Sequence, residues 1–577
     1  MSDRPMMDVD IVCVGFGPAA GGFLTTLAPA LSEFAIPPQV ICYERADGLG
    51  FGVSGAVTKA RGIRHSFPNL DPAQIPMAAQ VRHERVVYLF DPIGASRRAP
   101  SVRFTDKLTH PFANHHLQAI ELPWTPKFLH KQGGLVLSIG QFNQWVSEQL
   151  MMAGTVQVWP GMPVAEPLIE DDRVIGVRLA AQNGEPGMDI HASLTVVADG
   201  PVGAVGRRLD EHFGVPPGFE RKEWAVGSKM VIDLPDGVDL EPGTVIHTLG
   251  YPEPEIFGFF YVHPDRIASA GIFVPSWFQN PLRTSYRYLQ HFIQHPYLWR
   301  YLKGGRLRSW GAKSLMESGR RGEPYLAGNG YARIGEGSGS TNVLTGSGVD
   351  EAWTTGTQLA EGVIELLRNE LPFTKENLER VYVHRRRSSW VESEGRIAEN
   401  ARNGFQRGFV SGMFGMGIAG LTKGLITVHP KEQKRPTVDQ YFSDRIPREE
   451  LEQIWADALT EGVPLHDVLM DRSGWPPIEY DGQLLVSHQD ALLMGGKTQA
   501  APGFADHVEF IHPEICENCL ARSCVDICSG QAIAPDPNGS DIPVFDREKC
   551  VFCGACLWNC EHIAFRAGGG GLHSAEN

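Results

Sequence analysis

Eight of the ten cysteines in this 577-residue chain fall in its last 62 residues, and their spacing suits soft-metal ligation. In the run Cys550-x2-Cys553-x2-Cys556-x3-Cys560 three thiolates can hold one [4Fe–4S] cube while the fourth reaches a second cube. Upstream, Cys516-x2-Cys519-x4-Cys524-x3-Cys528 offers four more thiolates, with a two-residue insertion in its middle. After each fourth cysteine comes the same pattern, Cys528-x3-Ala532-Ile533 and Cys560-x3-Ala564-Phe565, so the tail is an internal repeat. Crossed ligation follows: Cys516, Cys519, Cys524 and Cys560 on one cube, Cys550, Cys553, Cys556 and Cys528 on the other. The competing chemistry, two structural zinc sites of four cysteines each, has no need of the x3-spaced fourth cysteine. Ser529 and Glu561 stand where proline usually follows the fourth ligand.

A second set of residues suits a dinucleotide. Gly15-Phe16-Gly17-Pro18-Ala19-Ala20 fits G-x-G-x-x-A/G. The first glycine permits a tight turn, the second admits a pyrophosphate at a helix N-terminus, and small Ala20 lets helix and sheet pack closely. Glu44 ends the next strand, where a carboxylate can accept both ribose hydroxyls of an adenosine. Ala198-Asp199-Gly200, followed by Arg207 and Arg208, resembles a strand-end element of FAD-dependent oxidoreductases of the glutathione-reductase-like superfamily. Gly335-Glu336-Gly337 resembles their G-D element, whose acid binds the ribityl chain; glutamate here replaces the usual aspartate. These two segments favour FAD over nicotinamide.

The elements that must position these groups are legible in outline. Asp8–Val14 reads as a buried parallel strand, Ala19 to about Ser32 as a helix, and Gln39–Glu44 as the next strand, a βαβ opening. Leu194–Ala198 and Ala332–Ile334 supply further strands far away in sequence, so the nucleotide domain is discontinuous, and Thr357–Asn369 closes it as an amphipathic helix. The expected fold is α/β: a discontinuous FAD-binding Rossmann-type domain, an inserted α+β quinone or substrate domain, and a C-terminal two-cluster ferredoxin-like module. The expected boundaries are 1–115 and 311–371 for the FAD domain and 116–310 for the insertion, with returning FAD-domain strands near 185–210. A helical membrane-contacting and linking region follows at 372–510 and the cluster module at 511–577. Arg385-Arg386-Arg387 is expected to be a solvated face.

Length and composition agree with several packed units, since single cores stop growing near about 250–300 residues. Lys+Arg 52 against Asp+Glu 67 gives a net charge of −15, which argues against a general nucleic-acid surface. The apolar run Ile11–Ser32 carries five glycines and prolines of the fingerprint and reads as soluble. No basic leader precedes it, and clustered rather than dispersed cysteines point to a reducing compartment.

The whole order of motifs resembles the electron transfer flavoprotein:ubiquinone oxidoreductase family. The resemblance rests on the fingerprint, Gly52-Val53-Ser54-Gly55, Ser138–Val146, Leu249-Gly250-Tyr251-Pro252, Phe278–Pro281, Gly311-Ala312-Lys313, Asp481-Gly482-Gln483, and the cysteine tail with Gly568–Gly571. It implies FAD contacts at Ser54 and Gly55, one cluster on Cys528, Cys550, Cys553 and Cys556, and a quinone pocket in which Gly258 gives a backbone contact. It also implies electron transfer flavoprotein as the donor, with ferredoxin as an alternative, and a membrane quinone as acceptor. No nucleophile or acid–base pair is required, because the cofactors carry the chemistry. The second cluster, on Cys516, Cys519, Cys524 and Cys560, is this chain's departure from the family. Family members are monotopic, and the charge-free segment Gly408–Thr422, flanked by Arg402, Arg407, Lys423, Lys431, Lys434 and Arg435, reads as an interfacial plug too short to span. The expected location is peripheral, on the cytoplasmic face of the cell membrane. Rival readings are a geranylgeranyl-reductase-type FAD enzyme acting on isoprenoid double bonds, a ferredoxin-linked flavoprotein reductase, and a zinc-stapled scaffold.

Overall fold

The computed structural model describes residues 4–50, 55–281, 285–346, 348–431, 436–461, 465–494, 499–500, 502–519, 522–566 and 572–573. Two large sheets organise them. The first runs in the order Ala327–Gly328, Tyr331–Arg333, Asp189–Val197, Met6–Val14, Val40–Tyr43, Gln157–Trp159, with the hairpin Val164–Glu170 and Arg173–Leu179 joined to Asp189–Val197. From Tyr331–Arg333 to Gln157–Trp159 all neighbours are parallel. Alternation explains why: Ile11 and Cys13 enter one core with Phe23, Leu27 and Trp353, while Val12 and Val14 enter another with Ile41, Val177 and Leu209. A strand apolar on both faces must be covered on both, as parallel sheets are.

The helix Pro18–Leu31 lies along the helix Val349–Arg368, which begins eight residues before the expected Thr357. Their approach is close because glycine stands at the crossing. A Cβ at Gly22 would lie 2.3 Å from the Trp353 carbonyl oxygen, and one at Gly356 2.0 Å from that of Ala19. The glycines that make Ile11–Ser32 read as soluble include Gly22, which allows this packing.

The second sheet has the order Arg306–Met316, Trp224–Asp233, Ile267–Pro275, Phe257–Val262, Thr244–Leu249, His83–Leu89, Ala119–Glu121. It is antiparallel except where Thr244–Leu249 runs parallel to His83–Leu89. Sheet membership crosses the expected boundary at 115/116. His83–Leu89 lies in the second sheet, whereas Gln157–Trp159 completes the first. Strand patterns show which faces are buried but not which sheet a short strand joins, since that depends on long-range pairing.

The tail folds as paired short pieces. Val508–Phe510 pairs with Ile563–Phe565 and Ile533–Ala534 with Val544–Phe545, with helical turns at Ser523–Asp526 and Ala555–Asn559. The arginine run departs from the expected solvated face at Arg386, whereas Arg385 is half-buried and Arg387 exposed. Arg386 is only 2% exposed, and its guanidinium donates to Ser338 Oγ and to the Ser338 carbonyl, both at 2.7 Å, and pairs with Glu323 at 3.2 Å. It therefore clamps the turn Glu336–Ser338. A run of three like charges does not show that one of them has a buried carbonyl to satisfy.

Candidate functional site

One cavity of about 620 Å³ is bordered by residues from both sheets, the cysteine tail and the apolar helix Phe409–Leu421. On the first sheet its wall begins where Met6–Val14 ends. Gly15 has φ +87°, and a Cβ there would stand 2.9 Å from the Ala198 carbonyl oxygen. Gly17 caps the helix with open space around it; no side chain caps the first turn, and no acidic residue lies in it. The first N–H groups of that helix are thus free to meet an anion such as a pyrophosphate. Pro18 takes the first helical position, Ala19 lines the cavity and Ala20 is buried beneath it.

Glu44 lines the same wall. Its carboxylate accepts the Phe16 N–H at 2.7 Å and the Ala46 N–H at 3.0 Å, bonds that fix it beside the glycine turn. Asp199 accepts the Gly206 N–H at 2.9 Å, and burial raises its pKa against the attraction of Arg333 and Arg45. Arg207 and Arg208 do not serve Asp199: Arg207 reaches the Phe565 carbonyl, and Arg208 pairs with Glu211. Glu336 accepts the Met316 N–H at 2.8 Å; burial raises its pKa, opposed by that bond and by Lys313. Gly200 and Gly335 line the cavity with φ +77° and +74°, and a Cβ at Gly337 would stand 2.5 Å from the Gly200 carbonyl, so the two acidic loops touch. Gly55 also lines the cavity; Ser54 lies outside the described residues, as do the Gly568–Gly571 tail and the basic residues Lys434 and Arg435.

The second sheet contributes Gly258 and two buried amines. A Cβ at Gly258 would collide with Phe292 and with Thr248 Oγ1 at 2.6 Å, so packing alone requires glycine there. Lys229 donates to the Gly55 carbonyl at 3.2 Å and Lys313 to that of Phe552 at 3.5 Å. Burial pushes both amines down to about 8. Sequence reasoning gave neither lysine a role. The only available signal was a charged residue within an otherwise apolar strand pattern, Val226–Ile232 for Lys229.

The tail brings its thiols together in two groups. Cys524 is raised to about 12, by burial first and then by Cys560, Cys519 and Cys516. Cys528 is raised to about 11, by burial first and then by Cys553, and Cys556 by burial and then by Cys553, Cys528 and Cys550. Backbone N–H groups of Ala532 and Phe552 point at Cys528 Sγ and Cys550 Sγ, at 3.1 and 3.3 Å. Such buried thiols ionise only against a compensating charge, and N–H donors to sulfur suit a thiolate-bound cluster. Among the described residues, no group of three or more His, Cys, Asp or Glu side chains is placed to hold a metal ion. A cubane spreads its thiolates over four irons and does not require them to converge on one point.

The Cys550–Cys556 loop is docked on the body. The Ser314 N–H donates to the Cys553 carbonyl at 2.7 Å, Trp558 Nε1–H donates to Ser314 Oγ at 2.9 Å, and the Trp558 ring stacks on Trp224. Val551 and Phe552 then form part of the cavity wall.

Fold and site together define an α/β protein with a dinucleotide-type turn, whose cavity abuts a cysteine-rich module. A family model described as "ETF-QO, ubiquinone-binding" matches residues 224–315, most of the second sheet. Electron transfer flavoprotein-ubiquinone oxidoreductase of Pseudomonas aeruginosa is 25% identical over 381 residues, 63% of this chain and 65% of that protein. The mitochondrial protein of the same name from Arabidopsis thaliana is 27% identical over 427 residues, 71% of this chain and 62% of that one. The resemblance to the electron transfer flavoprotein:ubiquinone oxidoreductase family is thereby shown, and the matches span a little under two thirds of these relatives' lengths. A solved geranylgeranyl bacteriochlorophyll reductase-like protein of Thermoplasma acidophilum aligns over 76% of this chain and 100% of its own, at 17% identity and TM-score 0.48. A likeness that distant carries no functional argument.

Proposed function

We propose that this protein passes electrons from reduced electron transfer flavoprotein, through two [4Fe–4S] clusters and a non-covalent FAD, to a membrane quinone. The observation that carries the reading is the shared cavity wall. Gly15, Glu44, Asp199 and Glu336 line it where a dinucleotide fits, Phe552 from a cysteine loop lines it as well, and Leu249, Phe257, Met413 and Met416 give it an apolar stretch suited to a quinone. In this reading the helix N-terminus after Gly17 holds the pyrophosphate, Glu44 the ribose and Glu336 the ribityl chain. FAD supplies the exchange between single electrons and pairs. Lys229 and Lys313 bring positive charge to the same wall.

Membrane contact is supported by which side chains the helix Phe409–Leu421 hides. Phe409, Gly412, Gly415 and Ala419 face the protein, whereas Phe414 is 65% and Leu421 87% exposed. The helix Pro100–Thr109 touches it and exposes Phe104 and Leu108. Together they form an exposed apolar surface of the kind that marks interaction with lipid. No described helix is long and apolar enough to cross a membrane.

The test is reduction of a short-chain ubiquinone by the cofactor-loaded protein, with reduced electron transfer flavoprotein as donor. Donor-dependent quinol formation is expected; flavin that the donor cannot reduce would overturn the reading. Phe414→Asp with Leu421→Asp should release the protein from anionic liposomes while leaving its fold intact. Met416 is unsuitable for this purpose, because it lines the cavity. If the double variant binds vesicles as tightly as the wild type, this helix is not the membrane contact.

A further inference from the structure

Glu84, His130 and His247 form a chain of ionisable side chains from the surface to the cavity. The strands His83–Leu89 and Thr244–Leu249 run parallel with Glu84 opposite Val245, so Glu84 and His247 share one face. Glu84 Oε1 lies 3.2 Å from His247 Nε2, and Glu84 Oε2 lies 3.0 Å from His130 Nδ1. The Glu84 side chain is 4% exposed and that of His130 50% exposed, so the carboxylate is interior and its second partner meets water. His247 lines the cavity together with Thr248, Phe257 and Gly258, and its Nδ1 has no hydrogen-bond partner among the described residues.

We propose that His130, Glu84 and His247 are a proton relay that carries protons from water to a quinone in the cavity. The proposal rests on the functional reading above. Forming a quinol takes two electrons and two protons. In that reading the electrons arrive singly through iron–sulfur clusters, which carry no protons, so both protons must come from water. Loaded with one proton, the pair is a His247 imidazolium beside the Glu84 carboxylate. The Nδ1–H bond breaks as the quinol O–H bond forms, leaving a neutral imidazole whose Nε2–H bonds the carboxylate. The next proton passes from water through His130 to Glu84, and a turn of the imidazole ring brings its bare nitrogen to that acid and reloads the pair. The chain neither gains nor loses electrons.

The surroundings suit this role. Burial lowers the His247 pKa, and so does the charge of Lys131, while Glu84 opposes both; Tyr261 packs against the ring from the neighbouring strand. Burial would raise Glu84, but bonds from His247 and from the Lys131 N–H bring its pKa below the usual value. The resting pair is thus a neutral imidazole beside a carboxylate, able to take up a proton and release it. Lys131, whose own pKa burial lowers, faces Glu351, Lys59, Glu84 and Asp350.

The test compares wild type, Glu84→Gln and His130→Ala, all loaded with cofactors. Glu84→Gln should lower quinone turnover roughly 100-fold, the size of a lost acid–base step. Flavin content, dithionite reduction and affinity for a short-chain ubiquinone should stay unchanged. His130→Ala should slow turnover less, enlarge the solvent deuterium isotope effect, and recover when imidazole is added, which a merely structural histidine would not do. Independently of activity, diethyl pyrocarbonate should modify His247, and the short-chain ubiquinone should protect it. If the wild type fails to reduce quinone with its donor, the functional reading falls. If the wild type turns over and Glu84→Gln does so equally fast, or quinone leaves His247 modification unchanged, the relay falls alone. Should Glu84→Gln fail to fold, His130→Ala decides by its imidazole rescue, and its absence overturns the relay.

Discussion

The two thiol groups of the tail have similar spacing and dissimilar surroundings. Cys528, Cys550, Cys553 and Cys556 belong to the side that docks on Ser314 and Trp224, and Phe552 beside them faces the cavity. Cys516, Cys519, Cys524 and Cys560 interact with one another, Cys519 is exposed, and Cys524 also acts on Cys556 of the first group. In the proposed function these near-equivalent runs would take different roles by position: an inner site beside the cavity that Phe552 lines, and an outer site, with exposed Cys519, for the protein donor.

The sharpest way to break this contrast is Cys553→Ala. Removing an inner ligand beside the docked loop should abolish donor-dependent quinone reduction, and iron should fall from about eight atoms per chain toward four. Flavin should remain bound and dithionite-reducible. Cys519→Ala removes an exposed outer ligand, so it should lower donor-dependent turnover steeply yet leave the inner cluster and thermal stability nearly intact. Iron content must be measured in both variants, since loss of all eight irons would show that the two sites fold as one. Trp558→Phe should have the smallest effect. It deletes the bond to Ser314 Oγ, costing about 1 kcal/mol, and a drop in melting temperature without loss of iron would locate that bond in docking rather than ligation.

How much of this was legible depends on how local the cause is. The turn at Gly15 and Gly17, the strand ends at Glu44 and Asp199, and the cysteine spacing are each set within a few residues, and the structure puts the turn and both acids on one cavity that Val551 and Phe552 also line. Assignment of His83–Leu89 to the second sheet was not legible, because strand pairing depends on partners more than a hundred residues away. Arg386 was misread as solvated because its partners, Ser338 and Glu323, are remote in sequence. The Glu84–His247 pair was invisible for the same reason, being made by register between two distant strands. The apolar segment before Lys423 was legible as a helix, but only the structure separates its buried glycines from the exposed Phe414 and Leu421.

The order in which the cofactors are reduced tests the central claim most directly. Reduced electron transfer flavoprotein would be mixed rapidly with the oxidised, fully loaded protein, following the iron–sulfur signal by freeze-quench paramagnetic resonance and the flavin by absorbance. The account expects cluster reduction to precede flavin bleaching, and Cys519→Ala to delay both. Flavin bleaching at the wild-type rate in Cys519→Ala, with the inner cluster intact, would contradict it by showing that electrons reach the cavity without the outer site.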